Sequence, residues 1–212
     1  MYDMQCPGCG HRTAMMLIDQ TIDELNIKNK IIVGLDVACC SLLIDELRYD
    51  AVMCPHGRVL PVCNGIKKVQ HEKIVISYMG DGAAYAIGTN EMIHAAHRND
   101  DALCIVINNG LFAMTGGQIP PSAFDEKAFD IVPLLKNMDI PFLARESLSN
   151  RENIYNCRKY MKEMFESYMT NGGFHLLELL SPCPTNNHMS VKENVEYINV
   201  TVSKILKCGR FI

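Results

Sequence analysis

Short, almost wholly apolar runs alternate with amphipathic stretches along this chain. Residues 31–35, 74–79, 103–107 and 174–180 are nearly continuous in hydrophobic character and too short for ordinary helices, so they are predicted to be strands. Pro141 to Ala144 is predicted to be a further short strand. Between these runs, residues 11–26, 59–68, 84–97, 129–138 and 151–169 are predicted to be helices. In the first of them Ala14, Leu17, Ile18, Ile22 and Leu25 recur at helical spacing. The tail from about 190 to 207 reads as helix, and residues 42–54 fit helix and irregular chain equally. Strands that are apolar throughout, not alternately polar, are covered on both faces. The expected fold is therefore α/β, a mostly parallel sheet with helices on both faces. No repeat, linker or low-complexity tract breaks the pattern, so residues 1–212 are expected to form a single domain.

In such a sheet the loops that follow residues 35, 79, 107 and 180 lie along one edge, where open α/β sheets bind ligands. Two of those loops carry Gly80-Asp81-Gly82 and Asn108-Asn109. A carboxylate and an amide oxygen suit a hard divalent cation such as Mg²⁺, and glycines beside Asp81 let a diphosphate approach the backbone. The next segment, Gly110 to Gln118 followed by Pro120-Pro121, has too many breakers for a regular element. It is expected to drape over a ligand or a partner.

The 212 residues carry a formal charge of −4, which argues against a nucleic-acid surface. No apolar run approaches the roughly 18 to 20 residues needed to span a membrane. The amino terminus lacks a basic flank and apolar stretch, so a cytoplasmic location is expected. In that compartment ten cysteines point to metal or cluster ligation and core burial, not to disulfides. Cys6-Pro7-Gly8-Cys9 is a turn at a helix amino terminus, Cys39 and Cys40 follow the first strand, and Cys183 follows the last. A lone C-x-x-C also opens zinc ribbons, but the second pair that a ribbon needs is missing.

Together these residues resemble one family. Gly80-Asp81-Gly82 followed by Asn108-Asn109 is similar to the Mg²⁺–diphosphate motif of thiamine-diphosphate enzymes. Cys6-Pro7-Gly8-Cys9-Gly10-His11, Cys40-Ser41, Pro55-His56-Gly57-Arg58, Ile93-His94-Ala95-Ala96, Met114-Thr115-Gly116-Gly117-Gln118 and Cys183-Pro184-Thr185-Asn186 then follow in the order of the β-type subunits of 2-oxoacid:ferredoxin oxidoreductases. The resemblance covers nearly the whole chain and implies a thiamine-diphosphate-binding fold. It implies that Asp81, Asn109 and the carbonyl of Leu111 hold Mg²⁺, with Gly80, Gly82, Thr115 and Gly116 around the cofactor. Cys6, Cys9, Cys40 and Cys183 would ligate a [4Fe–4S] cluster. Cys40 is preferred to its competitor Cys39 because Ser41 continues the family's Cys-Ser pattern.

The activity implied is oxidative decarboxylation of a 2-oxoacid to acyl-CoA and CO2, with electrons leaving through the cluster to ferredoxin. His56, Arg58 and Met114 are the candidates for contact with the reacting groups. The stretch Ser41 to Ile44 lacks the basic residue that some members handling dicarboxylic acids carry, and the motif wording is nearest the branched-chain, 2-oxoisovalerate group. The competing expectations are 2-oxoglutarate or pyruvate as substrate, or part of a non-redox thiamine enzyme. By the same resemblance the partners are an α-type subunit that supplies the activating glutamate, ferredoxin-like subunits, ferredoxin and coenzyme A. The context implied is a hetero-oligomer of anaerobic metabolism. Glu91, His94 and His97 cannot all share one face of a helix, so helix packing and solvation account for them.

Overall fold

The computed structural model describes residues 5–212. Within these described residues seven strands form one sheet in the order β2-β1-β3-β4-β6-β5-β7. They are β1 (Ile31–Asp36), β2 (Asp50–Cys54), β3 (Ile74–Gly80), β4 (Ala102–Asn108), β5 (Phe142–Ser147), β6 (Phe174–Leu180) and β7 (Gly209–Arg210). All pairings are parallel except β5 with β7. The main helices are α1 (Gly10–Glu24), α2 (Val59–Val69), α3 (Thr89–His97), α4 (Val132–Leu135), α5 (Arg151–Asn171), α6 (Pro184–Asn187), α7 (Val191–Tyr197) and α8 (Ser203–Ile205).

The two-residue period of the strands divides their side chains between two cores. Ile74, Ile76 and Tyr78 of β3 join Leu103, Ile105 and Ile107 of β4 beneath α1 and α5. Val75 and Met79, with Cys104 and Val106, face the layer containing α2 and α3. Burial on both faces makes these strands apolar throughout, and hydrophobic transfer of both layers is the main force holding the sheet between its helices.

Several predicted elements change shape. The ambiguous segment 42–54 resolves into a 3₁₀ helix, Cys39–Glu46, and the strand β2. β2 is an edge strand, and only its last residue, Cys54, is buried. The helix expected over 84–97 is interrupted. A π-helical turn, Gly82–Ile87, precedes α3, with the Gly88 amide donating to the Ala83 carbonyl at 2.8 Å. Ile87, at the end of that turn, is exposed. The helix expected over 129–138 shrinks to α4, and the tail helix comprises α7, a π-helical turn Ile198–Val202 and α8. Ser190 and Glu193 start that tail with a reciprocal capping box.

Candidate functional site

Parallel pairing places the carboxyl ends of β1, β3, β4 and β6 on one edge. Gly80 lies opposite Ile107, and Asn108 lies opposite Leu180. A cavity of about 290 Å³ opens there. Gly80, Asp81, Gly82, Asn109, Leu111, Met114, Thr115 and His56 of the predicted set line it, joined by Asp36, His11 and Phe112. Gly82 packs closely: a Cβ there would fall 2.4 Å from Cε1 of Phe112 and displace that ring.

Asp81 is 1% exposed and follows the last residue of β3. Its Oδ2 accepts a 2.6 Å hydrogen bond from the Ser122 hydroxyl. Burial pushes its carboxyl up to about 7, although the Ser122 hydroxyl and the Asn109 amide oppose the rise. No Lys or Arg among the described residues forms an ion pair with it. A buried carboxylate without a cationic partner fits a site for a divalent ion, whose charge would reverse the effect of burial. The Asn109 amide oxygen accepts from the Leu111 amide at 3.0 Å, which aims the turn into the cavity and leaves one lone pair for a ligand.

The position of that turn depends on a buried polar network. Asn108 accepts from the Gly110 amide at 3.1 Å and donates to Glu178 Oε1 at 2.7 Å. Glu178 Oε2 accepts from Arg145 Nε at 2.6 Å, and Arg145 Nη2 donates to Asp130 at 2.6 Å. Arg145 and Glu178 are each 1% exposed. Breaking such a pair from one side leaves the other charge uncompensated, so Arg145→Met is expected to destabilise the chain by about 3–5 kcal/mol. In urea melts the double variant Arg145→Met/Glu178→Gln should recover part of that loss.

A second cavity of about 180 Å³ adjoins the first. Cys6, Cys9, Cys39 and Cys183 all line it, and His11, Cys39, Asn109, Ala113 and Met114 line both cavities. The Cys9 amide donates to the Cys6 carbonyl at 3.0 Å, and the Gly10 amide donates to Ser181 at 3.2 Å, which fastens the amino-terminal turn to the end of β6. Asn186 donates to Cys183 Sγ at 3.5 Å and to the Ala113 carbonyl at 2.9 Å. Burial first, then the nearby sulfurs, push the Cys9 and Cys39 thiols up to about 11. A bound metal would hold such thiols as thiolates. Among the described residues no three His, Cys, Asp or Glu side chains converge on a single metal ion. A cluster makes a different demand, because its thiolates bind separate irons.

Three predicted assignments do not match this geometry. Cys40 is fully buried in the α1–α5 core, where its Sγ donates to the Asp36 carbonyl at 3.3 Å, so Cys39 takes the place in the cysteine cavity. Arg58 does not line the first cavity. It donates to the Gly57 and Ile87 carbonyls at 3.1 Å and pairs with Glu91, which makes it a brace between its loop and the helical segment around α3. Gly116 also lies outside the cavity lining. Asp36 and Ser122 were missed by sequence reasoning. A carboxylate that ends an apolar strand at the ligand edge was the available signal for Asp36, whereas nothing local marked Ser122 as the partner of Asp81.

Comparison with known proteins follows the same line as the geometry. Residues 40–179 match the family described as thiamine pyrophosphate enzyme, C-terminal TPP binding domain. The chain is 30% identical over 205 residues to the 2-oxoglutarate synthase subunit KorB of Archaeoglobus fulgidus, covering 91% of this chain and 74% of that protein. It is 32% identical over 198 residues to the ketoisovalerate oxidoreductase subunit VorA of Methanothermobacter thermautotrophicus, covering 85% of this chain and 42% of that protein. It therefore spans about two fifths of the length of the VorA relative. In fold it matches a solved 2-oxoglutarate:ferredoxin oxidoreductase from Magnetococcus marinus, with a TM-score of 0.77 at 22% identity over 87% of this chain and 66% of that one. The chain belongs to the thiamine-pyrophosphate-binding family, among the β-type subunits of 2-oxoacid:ferredoxin oxidoreductases. No helix among the described residues is long and apolar enough to cross a membrane.

Proposed function

We propose that this chain carries the cofactor and the cluster of a 2-oxoacid:ferredoxin oxidoreductase, in which a 2-oxoacid is oxidatively decarboxylated to acyl-CoA and CO2. One observation carries the reading. The cavity holding Asp81 and Asn109 and the cavity holding four cysteines share a wall made of His11, Cys39, Asn109, Ala113 and Met114. Thiamine diphosphate supplies the carbanion chemistry of decarboxylation, and a neighbouring [4Fe–4S] cluster carries the electrons away toward ferredoxin.

The chain's own residues supply position and charge. Asp81, the Asn109 amide oxygen and the Leu111 carbonyl would hold Mg²⁺, with Gly80, Gly82 and Thr115 beside the diphosphate. Cys6, Cys9, Cys39 and Cys183 would ligate the cluster, and the hydrogen bond from Asn186 to Cys183 would stabilise thiolate charge. The activating carboxylate is assigned to an α-type partner, with ferredoxin-like subunits as further members of the complex.

The substrate assignment is 2-oxoisovalerate or a close branched-chain acid. Val37, Ala38, Leu111, Phe112 and half-exposed Met114 offer apolar contacts, and among the described residues no Lys or Arg lines either cavity to receive a second carboxylate. Reconstitution of the chain with α-type and ferredoxin-like subunits, coenzyme A and ferredoxin under anaerobic conditions tests this. The expected kcat/KM for 2-oxoisovalerate exceeds that for 2-oxoglutarate by at least about tenfold, the lower range for discrimination by an apolar pocket. A reversed order would overturn the substrate assignment. Turnover by an iron-free complex would favour a non-redox thiamine enzyme.

A further inference from the structure

Asp36 ends β1, is fully buried, and has both oxygens engaged. Its Oδ2 lies 2.7 Å from His56 Nδ1, and its Oδ1 accepts from the Gly57 amide at 3.1 Å. Sheet register sets this contact, because Asp36 pairs with Cys54, two residues before His56. The opposite side of the loop is equally fixed. Gly57 has φ 71°, and a Cβ there would come within 2.5 Å of Ile87, so the turn fits only glycine. Arg58 ties the same loop to Ile87 and Glu91.

His56 is thus held between Asp36 and Phe112, whose ring centroid lies 6.3 Å away. Asp36 and His56 both line the first cavity. A carboxylate only accepts hydrogen bonds, so Nδ1 carries the proton and the lone pair of the neutral ring lies on Nε2. A fully buried carboxylate is an expensive way to orient a loop, because an amide would accept the Gly57 bond equally well. Its charge becomes useful when the imidazole is protonated.

We propose that Asp36 is a positioning residue that holds His56 in the Nδ1–H form and presents Nε2 to the cavity, where it exchanges a proton with the oxygen of the reacting 2-oxoacid carbonyl. When that oxygen is a hydroxyl, its O–H bond breaks, an N–H bond forms at Nε2, and the imidazolium is balanced by Asp36. No electron moves in this step. Reprotonation runs in reverse. The inference rests on the function proposed above, since it takes the cavity to hold a 2-oxoacid. The other titratable groups lining the cavity are His11, which bonds Tyr78 at 2.9 Å, Asp81 and Cys39. Arg58 and Glu91, on the far side of the loop, pair with each other.

Two measurements test the proposal. The first is the ¹⁵N imidazole spectrum of the full wild-type chain, which reads the tautomer without turnover. It should place the His56 proton on Nδ1, and a proton on Nε2 in the neutral ring would overturn the proposal. The second is kinetics of the reconstituted complex carrying Asp36→Asn, His56→Gln or both. Each single variant should lower kcat by about 100-fold with KM for the 2-oxoacid little changed, the low end of what general acid–base catalysis contributes. The double variant should be no slower than His56→Gln alone, and the acid limb of the kcat–pH profile should move in Asp36→Asn. Losses that multiply, or an unmoved profile, would make Asp36 a structural residue. Failure of the functional reading looks different: the wild-type complex then turns over no 2-oxoacid, while the spectrum still reports the tautomer.

Discussion

Asp81→Ala is expected to abolish thiamine-diphosphate binding and turnover while the fold survives. Asp81 is 1% exposed, with its Oδ2 on the Ser122 hydroxyl at 2.6 Å and no ion pair to Lys or Arg among the described residues. Burial drives its carboxyl up to about 7, a strain on the ionised form that a divalent cation relieves. Removing the carboxylate removes the one full negative charge among the proposed Mg²⁺ ligands Asp81, Asn109 and Leu111. Outer-shell partners of metal ligands cost up to about 100-fold in affinity, and loss of the ligand itself should exceed that. The structural penalty is smaller. Alanine leaves the Ser122 hydroxyl without its acceptor, a loss of about 1–3 kcal/mol, against total stabilities of about 5–15 kcal/mol. Asp81→Asn keeps an acceptor for Ser122 and should melt close to wild type, yet bind the cofactor as poorly as the alanine variant. Calorimetry of the complex with thiamine diphosphate and Mg²⁺, run beside thermal melts, separates the two effects. Unchanged affinity in both variants would remove Asp81 from the proposed metal site.

The central sheet is legible in the sequence because β3 and β4 must be apolar on both faces. Ile76 and Tyr78 supply one core, and Val75 and Met79 supply the other. The edge strands are not. In β2 only Cys54 is buried, and β7 has two residues, so neither carries enough pattern to be recognised. The π-helical turn after Asp81 is equally silent, since the Gly88–Ala83 bond changes the phase of the helix without changing its composition. At the site, residue type points to the ligand edge for Asp81, Asn109 and the cysteines, because the chain's alternation of strand and helix makes those loops neighbours. Orientation is another matter. Arg58 is polar, beside a glycine and next to the cavity, yet its guanidinium turns to the Ile87 carbonyl and Glu91. The Asn108–Glu178–Arg145 network is invisible for a related reason: Glu178 sits inside an apolar run, and its partner Arg145 lies 33 residues away in sequence.

Cys39 and Cys40 make the sharpest case, and exchanging each for alanine should give opposite results. Successive residues of a 3₁₀ helix are separated by about 120°, so neighbouring side chains at the start of Cys39–Glu46 cannot point the same way. Cys40 is directed into the core against the Asp36 carbonyl, whereas Cys39 faces the cavity lined by Cys6, Cys9 and Cys183. The Cys39 carbonyl is held by Gln5 Nε2 at 3.0 Å, which fixes the turn that presents its sulfur. After anaerobic reconstitution, Cys40→Ala should retain about four irons per chain and the magnetic resonance signal of a reduced [4Fe–4S] cluster. Its loss should be confined to packing, about 1 kcal/mol in a denaturant melt for a small truncated side chain. Cys39→Ala should lose most of its iron and sulfide, and its complex should fail to reduce ferredoxin, although thiamine diphosphate still binds at Asp81. The inverse pattern would return the third thiolate to Cys40 and require the start of the 3₁₀ helix to rotate when the cluster assembles. Full iron in both variants would remove this pair from the proposed ligand set, in which Cys6, Cys9 and Cys183 would supply the other three thiolates.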